Sequence, residues 1–371
     1  MASLVGDHIE NLVPYAPGKP IEEVERELGI EGCVKLASNE NPLGPSPRAM
    51  EAVRDAVGDL HYYPDGGAFY LKQALSDRLG VGIDELVIGN GSNELLEFVA
   101  RTFLQPGENA VTSAATFIVY KLATLACGQE IREAPLGPGQ GYDLDAMAEL
   151  VDERTKVIFL ANPNNPTGTC FGADALASFL ERVDARFPAD ERPIVVLDEA
   201  YREYVDLEDY PDAIALWRKR PRTIVMRTFS KAYGLAALRC GYAVATADLV
   251  SYMNRVRAPF NGNSLALIGA EAALGDQEFI ARSVAMNQEG KELLTEGLSA
   301  MGLGVVPSYT NFVLVDYKRD CREIFEQMMR LGVIVRPMAP YGLTTSLRVT
   351  IGTPEQNARL LAATASVLEG T

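Results

Sequence analysis

The chain has 371 residues, 47% of them hydrophobic and 23% charged, which suits a globular protein of one large and one smaller domain and excludes disordered and collagen-like classes. Asp and Glu outnumber Lys and Arg 50 to 34, a formal net charge of −16; so acidic a surface repels phosphate backbones and anionic lipid, and nucleic acid and membranes are poor partners. Two histidines and five scattered cysteines without a C-x-x-C pair offer no zinc framework and read as reduced thiols of a cytoplasmic protein.

The opening MASLVGDHIE meets Asp7 before an apolar core can form, so no signal peptide is expected, and no apolar run approaches the ~18 residues of a spanning helix. Residues 1–35 read as an N-terminal arm and small-domain segment, a Pro-rich VPYAPGKP followed by the helical IEEVERELGI. Residues 36–260 read as a large domain. There apolar strands alternate with amphipathic helices: ELVIG (85–89), NAVT (109–112), KVIFLA (156–161), PIVVL (193–197), TIVM (223–226) and YAVA (242–245), with helices such as ELLEFVARTFL and DALASFLERVDARF between them. Strands apolar throughout and separated by helices predict a largely parallel α/β sheet covered on both faces, with its site beyond the carboxyl ends of the strands. A helical stretch over 264–300 supplies a connecting helix, placed at 261–290. Residues 291–371 read as a small α+β domain: strand NFVLVDY, helix CREIFEQMMRLG, strands VIVRPM and SLRVTIG, and a C-terminal helix.

Four stretches near strand ends carry chemistry. GNGSNELLEF (89–98) follows a strand and opens a helix, so its backbone N–H groups with Ser92 and Asn93 suit a phosphate; a plain Gly turn with a polar cap is the alternative. It lacks the third glycine of G-x-G-x-x-G and the G-K-[ST] of a P-loop. NPNNPTGT (162–169) makes a rigid loop with amide donors facing forward, or simply a turn using Asn and Pro for their backbone preferences. In VVLDEAYREY (195–204), Asp198 ends a buried strand and needs a protonated partner, either a pyridinium nitrogen or an arginine, and Tyr201 can present a phenol to the same cavity. In TFSKAYGLAALRCGY (228–242), Lys231 is either a strand-end surface lysine or a desolvated amine free to react with a carbonyl, and Arg239 beside Ser230 can grip a phosphate. Together these supply what pyridoxal phosphate requires.

With PYAPGKPIEEVERELG, LASNENPLGPSP, YYPDGG and LRVTIGTPEQN added, nearly the whole chain resembles the fold-type I pyridoxal-phosphate aminotransferases, and among them the histidinol-phosphate aminotransferase family. The resemblance implies a seven-stranded, mostly parallel sheet in the large domain, pyridoxal 5'-phosphate as cofactor, and a homodimer with shared active sites. It implies that Lys231 holds the cofactor covalently and shuttles a proton, and that Asp198 pairs with the ring nitrogen. Asn165 and Tyr201 bond the ring oxygen, and Phe117 stacks on the ring. Gly91, Ser92, Asn93, Ser230 and Arg239 hold the phosphate, with Tyr63 reaching in from the second subunit. For substrate it implies Arg348 on the α-carboxylate, Arg336 on the phosphate of histidinol phosphate with Tyr15 from the partner's arm, and Asn39 as a further contact. No metal is implied. The expected reaction takes histidinol phosphate and 2-oxoglutarate to imidazole-acetol phosphate and glutamate. Rivals on the same machinery are an aromatic or prephenate-type aminotransferase and a lyase such as a threonine-phosphate decarboxylase. The sequence departs from the family in AATFIVY, which lacks a proline before the aromatic pair, and in LAALRCG, where LAGLRCG is common. APFNGNS (258–264) is polar where relatives vary. These departures leave substrate choice open.

Overall fold

The structure is a computed structural model and describes residues 3–15 and 17–370. Its central sheet is built from strands β2 (Leu86–Gly89), β3 (Asn109–Ser113), β4 (Glu130–Ala134), β5 (Thr155–Ala161), β6 (Ile194–Asp198), β7 (Thr223–Thr228) and β8 (Gly241–Val244), β1 (Val34–Lys35) belonging elsewhere. The order across the sheet is β2-β8-β7-β6-β5-β3-β4; every pair is parallel except the two that β8 makes with β2 and β7. This is the expected α/β sheet of seven strands.

Helices cover both faces because the strands are apolar on both. Along β5, Val157, Phe159 and Ala161 pack into one buried cluster with the helices Ser92–Phe103, Val119–Ala126 and Ala247–Val256. Ile158 and Leu160 point the other way, into a cluster with Phe69–Leu79, Leu144–Leu150, Ala173–Asp184 and Ala213–Lys219. Alternate strand residues facing opposite layers is the period-two geometry of a doubly covered sheet.

Strand β4 is absent from the sequence reading, and its composition says why. EIREA carries three charges in five residues and lies half exposed at the sheet edge, where charge protects an open strand from foreign pairing and hides the apolar signal. The stretch 264–300 forms two helices, Ser264–Leu274 and Gln277–Ala300, with the Asp276 side chain accepting from the backbone N–H of Phe279 to start the second.

Strands β9 (Gly304–Val306), β10 (Phe312–Asp316), β12 (Arg336–Pro337) and β13 (Ser346–Thr350) form an antiparallel sheet of order β12-β13-β10-β9, backed by Arg322–Arg330 and Pro354–Glu369. The expected single strand VIVRPM splits: β11 (Val333–Ile334) pairs in parallel with β1, and only β12 joins β13. The helix Ile21–Leu28 buries Val24 with Cys33, Ala37 and Ile334, so this half of the N-terminal segment contributes to a core cluster.

Candidate active site

The topology gathers the site. Because β2, β3, β5, β6 and β7 run the same way, their carboxyl ends share one edge, and β8, running backwards, starts there. Onto that edge come Ser92 and Asn93 after β2, Phe117 after β3, Asn165 after β5, Asp198 and Tyr201 at the end of β6, Ser230 and Lys231 after β7, and Arg239 before β8; all line one cavity. Arg336 on β12, Arg348 on β13 and Tyr341 close it from one side, and Tyr15, Gly18 and Asn39 line it from the N-terminal part of the chain.

Lys231 and Asp198 have opposed electrostatics with one dominant cause. Burial, then the Arg348 charge, lowers the Lys231 amine to about 8, and its Nζ donates to the Ser38 carbonyl at 3.2 Å. Burial raises the Asp198 carboxyl to about 6, although Tyr120 Oη donates to Oδ2 at 2.8 Å and the Ala200 N–H to Oδ1 at 3.1 Å. Among the described residues no ion pair is made to Asp198; its neighbour Glu199 takes the arginine instead, accepting from Arg227 Nε and Nη2, each at 2.8 Å. The two acids of LDEAY thus divide the two fates open to them in the sequence, one facing the cavity and the other sealed in an ion pair.

Tyr120 is a site residue that sequence reasoning missed. It is fully buried, stacked on Phe159 at 5.0 Å and edge-on to Phe117 at 5.7 Å, while it holds Asp198. The available signal was its place three residues after Phe117, on the same face where the Val119–Ala126 helix begins. Tyr341, on the turn after β12, was missed because nothing local marks it.

The phosphate-type cradle is tight. Gly91 sits at φ 78° with the Arg239 guanidinium where a side chain would begin, so only glycine fits. Arg239, itself left-handed at φ 59°, donates to Ser230 Oγ at 3.4 Å and the Ala236 carbonyl at 3.1 Å. The peptide bonds Asn162–Pro163 and Asn165–Pro166 are both cis. Asn165 Oδ1 accepts from Arg348 Nη1 at 2.5 Å. Arg348 Nη2 donates to the Ala37 carbonyl at 2.8 Å, and its buried Nε has no hydrogen-bond partner among the described residues.

Arg336 and Arg348 are cross-strand partners on β12 and β13. Like charges directly opposite each other repel, so the pair makes sense where an anion lies between them. Within the chain, Tyr15 lies over the Arg336 guanidinium at 5.3 Å, and Gly18 packs beside Arg336 Nη1. Tyr63 lies outside the cavity, 81% exposed and stacked on Phe260 at 4.9 Å. Among the described residues no cluster of His, Cys, Asp or Glu is arranged for a metal, and no helix is long and apolar enough to cross a membrane.

A family model for aminotransferase class I and II matches residues 31–363. A histidinol-phosphate aminotransferase from Anaeromyxobacter sp. (strain Fw109-5) is 50% identical over 366 residues, 98% of this chain and 99% of that one. The chain belongs to the histidinol-phosphate aminotransferase family. The Bacillus subtilis (strain 168) histidinol-phosphate aminotransferase is 46% identical over 364 residues, 98% of this chain and 99% of that one. The solved Sinorhizobium meliloti histidinol-phosphate aminotransferase in complex with pyridoxal-5'-phosphate superposes with a TM-score of 0.89 at 29% identity, covering 100% of this chain and 99% of that one. An aspartate aminotransferase from Thermus thermophilus, at 21% identity and TM-score 0.85, shares the fold. The enzyme is therefore a fold-type I aminotransferase dependent on pyridoxal phosphate. Its residues fit that cofactor on their own terms: a buried carboxylate with no ion pair among the described residues suits a protonated ring nitrogen, and a glycine cradle against a guanidinium suits a phosphate. An amine held near 8 suits attachment to an aldehyde.

Proposed function

We propose that the enzyme exchanges the amino group of histidinol phosphate for the oxygen of 2-oxoglutarate, giving imidazole-acetol phosphate and glutamate in a ping-pong cycle. The cross-strand pair Arg336 and Arg348 carries this reading, because both substrates bear an anionic group close to the amino-bearing carbon, a carboxylate in glutamate and a phosphate in histidinol phosphate. Arg348 grips the α-carboxylate of glutamate as a planar fork, and Arg336 with Tyr15 takes the phosphate of histidinol phosphate. Pyridoxal phosphate, when bound, supplies the electron sink beside the amino-bearing carbon. Lys231 would attach it and move the proton, for which an amine near 8 is matched to neutral pH. Asp198 would keep the ring nitrogen protonated, Asn165 and Tyr201 would donate to the ring oxygen, Phe117 would cover the ring, and Gly91, Ser92, Asn93, Ser230 and Arg239 would hold the phosphate.

The same reading makes the enzyme a cytoplasmic homodimer, divided into an arm and small-domain segment (1–35), a large domain (36–260), a connecting helix (261–290) and a small domain (291–371), with Tyr63 completing the partner's cradle. The exposure of Tyr63 outside its own cavity supports this.

The test is turnover of histidinol phosphate against phenylalanine with the wild type and Arg336→Ala. Loss of one charge-assisted hydrogen bond should cost about 10- to 100-fold in kcat/KM for histidinol phosphate and leave phenylalanine unchanged. An unchanged rate with the phosphorylated substrate sinks the assignment. The aromatic lining of Tyr15, Phe117, Tyr201 and Tyr341 would also receive a phenyl ring, so faster turnover of phenylalanine favours the aromatic reading. Release of CO2 without a keto acid favours a lyase.

A further inference from the structure

We propose that Asn39 is a positioning residue for Tyr201: it occupies the accepting side of the phenol and so turns the phenol's own proton into the cavity. This rests on the reading of Tyr201 as facing the cofactor's ring oxygen. Asn39 is 1% exposed, and its side chain is engaged inside the protein. Its Nδ2 donates to Tyr201 Oη at 2.9 Å. Its backbone N–H donates to Thr350 Oγ1 at 2.9 Å, and Thr350 Oγ1 donates back to Asn39 Oδ1 at 3.2 Å. Its carbonyl accepts from Asn311 Nδ2 at 3.0 Å.

The proton count fixes the direction. A hydroxyl has one proton, and that of Thr350 goes to the Asn39 amide oxygen, which leaves the amide nitrogen to face Tyr201. Tyr201, already accepting, keeps its own proton for another partner, and the cavity is where one is wanted. Asn39 reaches this position because its backbone is left-handed at φ 57°, a conformation that asparagine tolerates better than most residues. It also joins Tyr201, on the large sheet, to β13 and the approach to β10, so the phenol's orientation is tied to how the small domain sits. Facing Tyr201 are Asp198 on its own turn, Lys231 after β7, Arg348 on β13 and Tyr341. None of these donates to its hydroxyl among the hydrogen bonds described, so Asn39 alone sets the phenol's polarity.

A donated hydrogen bond on the ring oxygen lowers the proton affinity of the bound chromophore, so the pH midpoint of its visible absorption reads the Tyr201 proton without any substrate. Holoenzymes of Asn39→Gly, Tyr201→Phe and the double variant are titrated spectrophotometrically. Asn39→Gly keeps the left-handed backbone and should raise the midpoint by about one pH unit, the effect of one net hydrogen bond. In the Tyr201→Phe background it should add nothing. Its kcat should fall about tenfold while KM for glutamate moves less than about threefold, the signature of an effect outside substrate binding. Asn39→Asp, which turns the donating end into an acceptor, serves as the second variant and should raise the midpoint at least as far. A wild-type midpoint in both Asn39 variants alongside a shifted Tyr201→Phe overturns the inference alone, as does a KM effect with no spectral change. A wild-type midpoint in Tyr201→Phe itself overturns the reading beneath it as well.

Discussion

At the scale of single residues, the site is held away from its own most stable state. Asp198 is a carboxyl raised to about 6, chiefly by burial, with no ion-pair partner among the described residues. A raised folded-state value means that its stabilising contribution is complete below the ordinary carboxylate range and is lost as pH rises through about 6. Asp198→Asn should therefore raise the melting temperature of the cofactor-free enzyme at pH 8 relative to its effect at pH 4, by an amount corresponding to about 2 kcal/mol. Calorimetry at the two pH values checks this, and an equal shift at both would refute it. Lys231 is the mirror case: its depressed value costs stability as pH falls from the ordinary lysine range through about 8. Lys231→Ala should abolish transamination while the protein stays folded. Arg239→Met should instead speed loss of cofactor on dialysis, because its guanidinium fills the space over Gly91.

At the scale of elements, what the sequence displays depends on how much of an element is buried. Strands β5, β6 and β7, buried from end to end, are plain in KVIFLA, PIVVL and TIVM, whereas the charged edge strand β4 and the half-buried β9 are invisible to the same criterion. The site residues were legible where each closes a strand with a polar or charged group that burial would otherwise forbid, as Asp198 does. Tyr120 was not, since a buried tyrosine in an apolar helix looks like packing until its hydroxyl partner is known. The Glu199–Arg227 pair bridges the ends of β6 and β7 with both side chains buried. Arg227→Met, which strands a buried carboxylate, should cost about 3–5 kcal/mol in denaturant unfolding, and adding Glu199→Leu should restore much of it. No recovery in the double variant would mean that the pair does more than neutralise itself.

At the scale of the whole molecule, Tyr63, which the reading assigns to the partner's cradle, lies in a run of exposed aromatic residues with Tyr62, Phe69 and Tyr70, and Leu60 and Phe260 are exposed too. Sedimentation should give a dimer, and Tyr63→Phe should weaken cofactor retention without changing the enzyme's mass in solution; a monomer with full activity contradicts it. One consequence of the reversed strand β8 concerns time rather than space. Gly89 and Gly241 face each other across β2 and β8, and a side chain on Gly241 would strike the backbone of Gly91 and Ser92. The two halves of the phosphate cradle are thus separated by the chain that carries strands β3 to β7, and their union is the kind of non-local contact that forms late. A chain emerging from the ribosome has its glycine turn early and its lysine and arginine only after most of the sheet has been made. Capture of the cofactor thus reports completion of the sheet, and a nascent chain ending before Gly241 should leave the vitamin in solution.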